Sequence, residues 1–362
     1  MNILVCGSFM CREFEQDVDG LSIAANQYQM NLYNTLRMKY SVKGLSYLTC
    51  NCKEKEKMIW ERCEKEEIFP IFSYGRKMEG YMMYRKKLRE LIEWADEIIT
   101  YNAFYPWYGV SKMAEKKQKK SVLILADITP PEEEQKFTRK VFASMMLNEI
   151  KKYTKVVALS ERGTELVGKN QEVVVVNGCL HKDKIGRIPK PHKSDVTSIA
   201  YTGLISEVTG VNLLLEAFQK IPGENYKLTI CGQGDIESIQ DHQIKDKRVQ
   251  ILGLVSNEKY LQVLEDADIL INPRNMNFLQ NRYNFPSKVL EYIAAGRIVV
   301  STKFNGYEAY DENVIFTDST SESLMIAILK AEEIKYKSDV IYDKNVEFAK
   351  SYEWEKQIEN FI

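Results

Sequence analysis

The sequence predicts an α/β protein made of two doubly wound parallel sheets, and three observations carry that expectation. Short apolar runs alternate with amphipathic stretches through both halves of the 362 residues, the pattern of a parallel sheet covered by helices on both faces. A lysine-rich stretch, 181–195, with Pro189 and Pro191 and little apolar content, interrupts that alternation near mid-chain. A chain of this length is also more than one hydrophobic core usually supports.

In the first half, strands are expected at Asn2–Cys6, Gly44–Thr49, Glu97–Tyr101, Ser121–Ala126, Lys155–Leu159 and Glu172–Val176, with helices such as Ile23–Met38 and Gly80–Trp94 between them. After the interruption, strands are expected at Ser198–Tyr201, Tyr226–Cys231, Val249–Leu252, Ile269–Asn272, Ile298–Ser301 and Val314–Phe316. Helices fall at Gly210–Lys220, Asn257–Glu265, Pro286–Ala295 and Ser321–Lys330. The expected organisation is a Rossmann-like domain over 1–180, a linker over 181–195 and a second Rossmann-like domain over 196–344. A helical, aromatic tail over 345–362 then packs back toward the first domain.

Fifty basic against 51 acidic residues give a net charge of −1, without the basic excess of a nucleic-acid binder. No apolar run reaches the ~18 residues of a membrane span. Met1–Gly7 reads as a strand entering a glycine turn and not as a secretion leader, so a cytoplasmic protein is expected. The seven cysteines are scattered. Cys50, Cys52 and Cys63 form their only cluster, and His181, His192 and His242 lie far along the chain, so neither a metal site nor a cofactor is expected.

The stretch richest in chemistry runs Asn272-Pro273-Arg274 and then from Asn281 to Gly296. A buried-type strand leads into a long polar loop, and a helix opens with Pro286 in its first turn and closes at Gly296. The start of a helix offers unpaired N–H groups and a partial positive charge, which suits a diphosphate. Ser287 and Lys288 add a hydroxyl and an ammonium there. Glu291, four residues after Ser287, lies on the same face, where its carboxylate could accept both hydroxyls of a ribose. On spacing alone, a capped surface helix with an exposed Glu291 accounts for the same residues.

Strand, Asn-Pro-Arg, polar loop, Phe285-Pro286-Ser287-Lys288, Leu290-Glu291-Tyr292 and Ala294-Ala295-Gly296 together resemble the donor-site segment of retaining GT-B glycosyltransferases. The likeness is to glycosyltransferase family 4, in particular members from bacterial surface-polysaccharide pathways. Val173–Gly178, Tyr201-Thr202-Gly203, Gly210–Phe218, Leu228–Gly234, Val249–Val255 and Ala267–Pro273 resemble further family segments in the same order. The resemblance implies two Rossmann-like domains facing a central cleft. It also implies metal-independent transfer from a nucleoside-diphosphate sugar to a glycan or lipid-linked glycan, with retention, and a leaving diphosphate that takes part in front-face attack.

By the same resemblance, Glu291 binds ribose and the Pro286–Lys288 turn binds the diphosphate, within a donor segment that includes Tyr283, Asn284 and Phe285. Gly253, Leu254 and Val255 contact the base, and Gly203 permits close approach of the phosphates. Asp127 faces the cleft as a contact to acceptor or donor sugar. Asp127, Lys288 and Arg274 are the catalytic candidates. The pattern departs from the family in four places. Tyr283 stands where the first Glu of a Glu-x7-Glu pair is common, Leu204 and Thr209 stand where an Arg and a Lys are common, and Ala126 replaces a histidine. Compensation of the diphosphate then falls to Lys288, Arg274 and Arg282, or the chain is a non-catalytic partner of an active enzyme.

Gly232-Gln233-Gly234 lacks the third glycine of a dinucleotide fingerprint and reads as a tight turn. Asp266-Ala267-Asp268 reads as a helix end and not a metal motif. Around Phe137–Tyr153, Phe137, Val141, Met145 and Met146 interleave with Lys136, Arg139, Lys140, Lys151 and Lys152. Core packing under a solvated basic face is one reading. Contact with the inner face of the membrane, suited to a lipid-linked acceptor, is the other.

Overall fold

The computed structural model describes residues 1–15, 21–48, 55–73, 77–102, 106–126, 131–134 and 136–362. The chain divides into two compact units, Met1–Asn177 with Trp354–Ile362, and Gly178–Glu353. Among the described residues no helix is long and apolar enough to cross a membrane.

The first unit holds strands β1 (Asn2–Gly7), β2 (Ser41–Leu48), β3 (Ile68–Phe72), β4 (Glu97–Tyr101), β5 (Lys120–Leu125), β6 (Lys155–Ala158) and β7 (Glu172–Val175). They form one parallel sheet in the order β3-β2-β1-β4-β5-β6-β7. Helices α1 (Ile23–Arg37), α2 (Glu56–Lys65), α3 (Lys77–Trp94), α4 (Val110–Lys116) and α5 (Phe137–Ile150) accompany it. Tyr84, Leu88, Leu91 and Ile92 of α3 seal Leu4, Cys6, Leu45 and Ile98 of the sheet. The sequence pattern did not reveal β3, because Pro70 interrupts it. Proline lacks the N–H a central strand needs, and β3 lies at the sheet edge, where one row of donors is dispensable.

The second unit holds β8 (Thr197–Thr202), β9 (Tyr226–Cys231), β10 (Val249–Gly253), β11 (Ile269–Asn272), β12 (Ile298–Thr302) and β13 (Val314–Thr317), parallel and ordered β10-β9-β8-β11-β12-β13. Its helices are α6 (Val211–Gln219), α7 (Gln240–Lys245), α8 (Asn257–Asp266), α9 (Leu279–Tyr283), α10 (Ser287–Ala294), α11 (Ser321–Glu333) and α12 (Ser338–Ala349). Leu214, Leu215 and Phe218 of α6 pack with Leu324 and Ile328 of α11 in one core layer. Val263 and Leu264 of α8 pack with Val289, Tyr292 and Ile293 of α10 in the other.

The stretch 181–195, expected as a linker, lies inside the second unit and is fastened to it. Gly186 N–H donates to Ala294 O at 2.9 Å, and Tyr342 Oη donates to Ile188 O at 2.9 Å. The fully buried Arg297 donates to the carbonyls of Leu264, Ala295, Pro189 and Glu265. Burial pulls its guanidinium down to about 10. The composition of the stretch hid these ties, because they use its backbone and not its side chains.

The expected tail is likewise shared between the units. Residues through Glu353 stay with the second unit, where Asn345 Nδ2 donates to Arg297 O at 2.8 Å. Beyond it, α13 (Trp354–Gln357) joins the first unit. Trp354 meets Tyr28 edge-on at 4.9 Å, and Lys155 Nζ donates to Ile362 O at 2.6 Å.

Two glycines are required by close backbone approach. A Cβ on Gly232 (φ 148°) would stand 1.6 Å from Gly203 O, and one on Gly210 (φ 76°) 1.8 Å from Pro273 O. Gly232→Ala is expected to cost about 3 kcal/mol or more, since backbone must shift to admit the methyl group. A urea midpoint within a few tenths molar of wild type would refute that.

Candidate functional site

In the second sheet the strand order reverses between β8 and β11. The crevice at the carboxyl ends of such a pair is the usual ligand position in doubly wound sheets. Here those ends carry Thr202-Gly203 and Asn272-Pro273-Arg274. The loops that follow are laced together. Asn275 N–H donates to Val208 O at 3.2 Å, and the buried Asn281 donates from Nδ2 to Val208 O and Asn275 O, both at 2.8 Å.

Helix α10 begins at Ser287, with Pro286 as its cap, one position earlier in its role than the sequence implied. Phe285 points into an aromatic cluster, edge-on to Phe304 at 5.4 Å and tilted on Tyr310 at 5.8 Å, and so anchors the start of the helix. Two of the opening amides are already used locally, Ser287 N–H by Phe285 O at 3.0 Å and Val289 N–H by Pro286 O at 2.9 Å.

Glu291 is engaged on both oxygens. Oε2 accepts from Lys288 Nζ at 2.8 Å and from Tyr260 Oη at 3.4 Å, and Oε1 accepts from Lys184 Nζ at 3.1 Å. Lys288 Nζ also lies 5.3 Å from the Tyr260 ring centre, a cation–π distance. Burial alone would raise the Glu291 carboxyl, but the Lys288 and Lys184 ammoniums outweigh it and hold it well below the usual carboxylate range. Burial would pull Lys288 down, and Glu291 instead keeps it well above its ordinary value. Burial, followed by the Glu291 charge, pushes Tyr260 up to about 12.

Tyr292 joins this helix to the sheet. Its buried hydroxyl accepts from Thr202 N–H at 3.0 Å and donates to Thr202 O at 3.1 Å. Gly203 follows at φ 149°, and a Cβ there would lie 3.9 Å from Lys288 Cε and 3.2 Å from Tyr201 Oη. Gly203, Lys288 and Glu291 are thus gathered in one place.

Arg274 Nη1 donates to Asn284 O at 3.3 Å, and Arg274 and Lys288 both exert a positive field on the Tyr201 hydroxyl. Arg282 Nε donates to Met276 O at 3.3 Å, and the half-buried Tyr283 ends α9. Gly253 takes φ 65°, Leu254 is exposed, and Val255 packs with Tyr260 against the α8–α10 core. At the departures from the family pattern, the Leu204 carbonyl accepts from Tyr201 Oη and Thr209 Oγ1, each at 2.6 Å. Thr209 braces the loop and brings no charge. Asp127 lies outside the described residues; Ala126 before it donates its N–H to Asn102 Oδ1 at 2.9 Å. Cys50 and Cys52 also lie outside them, and among the described residues no group of three or more His, Cys, Asp or Glu could hold a metal.

Sequence reasoning missed Lys184, Tyr260 and Tyr292. Tyr292 stands beside Glu291 within the quoted motif, but its partner Thr202 is 90 residues away. The other two reach Glu291 only through the tertiary fold.

The equivalent turn of the first unit, after β1, is closed to an anion. Its amides donate internally: Ser8 to Gln29 Oε1, Phe9 to Ser46 Oγ, Met10 to Asn26 Oδ1 and Cys11 to Cys63 Sγ.

Residues 197–333, within the second unit, match the family model described as Glycosyl transferases group 1. No curated protein matches. Among solved structures, the chain is similar to HepE of Anabaena in complex with UDP, at 15% identity, with 99% of each chain covered and a TM-score of 0.74. It is similar to a glycosyltransferase of Rickettsia africae at 16% identity, covering 99% and 96%, TM-score 0.71. It is also similar to sucrose-phosphate synthase of Thermosynechococcus elongatus at 13%, covering 99% and 97%, TM-score 0.69. The fold is GT-B, two parallel Rossmann-like sheets.

Because Glu291 titrates lower in the folded chain than in the unfolded one, its ion pairs add stability above about pH 4.3. That contribution is lost as pH falls toward the folded value. Glu291→Gln is expected to be less stable than wild type at pH 7, with the gap closing below about pH 4. Urea titrations at both pH values measure this, and a gap independent of pH would remove the ion-pair account.

Proposed function

We propose that the protein transfers a hexosyl group from a nucleoside-diphosphate sugar to a hydroxyl of a glycan or lipid-linked glycan. The reading includes retention at the anomeric carbon, no metal, and a place in bacterial surface-polysaccharide synthesis. The observation that carries it is the Glu291–Lys288–Lys184 cluster beside Gly203 at the strand-order reversal. The Lys288 ammonium, paired with Glu291, lies beside the Gly203 turn, and Arg274 adds a second cation near Tyr201. These charges oppose the two negative phosphates and stabilise the diphosphate as it leaves. Glu291, opposite in sign, suits the ribose hydroxyls. HepE, described in complex with UDP and with UDP-glucose, supports a UDP-sugar as the first donor to test.

Asp127 is proposed to contact acceptor or donor sugar, and Gly253–Val255 the base. A non-catalytic GT-B-like subunit is the alternative favoured by Leu204 and by the uncharged, loop-bracing Thr209. Calorimetry decides: UDP is expected to bind wild type, and Glu291→Ala to weaken it by roughly 1.5–3 kcal/mol. An unchanged dissociation constant would remove Glu291 from the ribose site, and no binding at millimolar UDP would select the inert subunit.

A lipid-linked acceptor is supported by α5. Ala143, Met146 and Ile150 face the core, yet Phe137 is 79% exposed, and Val141, Phe142 and Met145 are exposed too. The helix is apolar on two faces and the core takes one, so the core-packing reading holds for Met146 alone among the four residues in question. Tyr108 Oη donates to Phe142 O at 3.0 Å, and Arg85 of α3 donates to Tyr108 O at 3.2 Å, which links this face to the helix carrying exposed Met82 and Met83. Exposed Lys136, Arg139 and Lys140 beside it suit an anionic bilayer surface. Wild type is expected to float with vesicles containing phosphatidylglycerol, and Phe137→Ser with Phe142→Ser to remain soluble. Recovery of wild type solely in the soluble fraction would refute membrane contact.

A further inference from the structure

We infer that Lys184 is an internal competitor for the pentose site: it occupies one oxygen of the Glu291 carboxylate, yields it to a cis-diol, and by returning promotes release of the nucleoside diphosphate. The inference rests on the proposed donor site. The partners of Glu291 differ in kind. Lys288 sits on the same helix, packed against Tyr260 and the Gly203 turn, and its pairing with Glu291 is one of neighbouring turns. Lys184 comes from 107 residues away and its side chain is half exposed. Its backbone is nonetheless held near α10. It closes the turn Lys182–Lys184, which His181 caps through Nδ1, and Gly186, two residues on, is bonded to Ala294 O.

A diol that reaches Glu291 needs acceptor positions on the carboxylate, and Oε1 is filled by Lys184. The lysine end of the pair is half exposed, so water can replace its ammonium at modest cost. That cost falls on every ligand that uses Glu291 and spares any ligand that does not. The pair also keeps the carboxylate compensated while the site is empty, since a partly buried charge left with fewer partners is unfavourable.

The test is calorimetric titration of wild type and Lys184→Met, at one ionic strength, with UDP and with its 2′,3′-dideoxy form. Methionine keeps the apolar stem and removes the ammonium; Lys184→Gln serves as a second variant. The expected result is a two- to five-fold tighter dissociation constant for UDP in both variants, slower UDP release by stopped flow, and no change for the dideoxy compound. Equal affinity for UDP in wild type and variants would overturn the inference. So would weaker binding, which would make Lys184 a direct ligand contact, or an equal shift for both compounds, which would be a general charge effect. Absence of UDP binding in wild type and variants alike would overturn the donor-site reading and the competitor with it.

Discussion

The Tyr292 hydroxyl, bonded to both backbone groups of Thr202, is the contact on which the rest of the site depends. It fixes the last residue of β8 against the middle of α10, and so fixes the distance between the Gly203 turn and the two charged residues one and four positions earlier on the helix. A sheet and a helix packed by apolar contact alone can slide by fractions of an ångström. A hydroxyl used as donor and acceptor on one residue's N–H and C=O is held more tightly, because both geometries must be met together.

The two Rossmann-like halves are alike in plan and differ in what lines the turn at their switch points. In the first, side-chain oxygens and a thiol consume the amides after β1. In the second, hydroxyl braces hold the backbone of the β8 turn in shape, and long cations stand beside it. A fold of this kind provides the crevice in both places, and the residues lining it decide which one holds charge.

Periodicity revealed most of the fold, because buried parallel strands and amphipathic helices write themselves into local sequence. It failed where a local rule met a tertiary exception. Pro70 disguised an edge strand, and 181–195 read as a linker because its attachments to Arg297, Tyr342 and Ala294 are made by carbonyls and amides common to every residue. In the site, Gly203, Lys288 and Glu291 were legible and do gather, since one motif and one turn carry them. Lys184 and Tyr260 were not, because nothing local distinguishes them from other surface lysines and tyrosines. Phe137 and Phe142 carry the opposite lesson: an apolar periodicity states that a face avoids water, not which neighbour covers it.

The chain crosses between units twice, after Asn177 and after Glu353, so Gly178–Glu353 is an insertion within the first unit. The last nine residues supply Trp354 and Phe361 to the first core and lay Ile362 against Lys155. The first unit is therefore built from two segments that the second unit separates in sequence. The contact of Trp354 with Tyr28 joins segments of the first unit that the whole inserted unit separates along the chain.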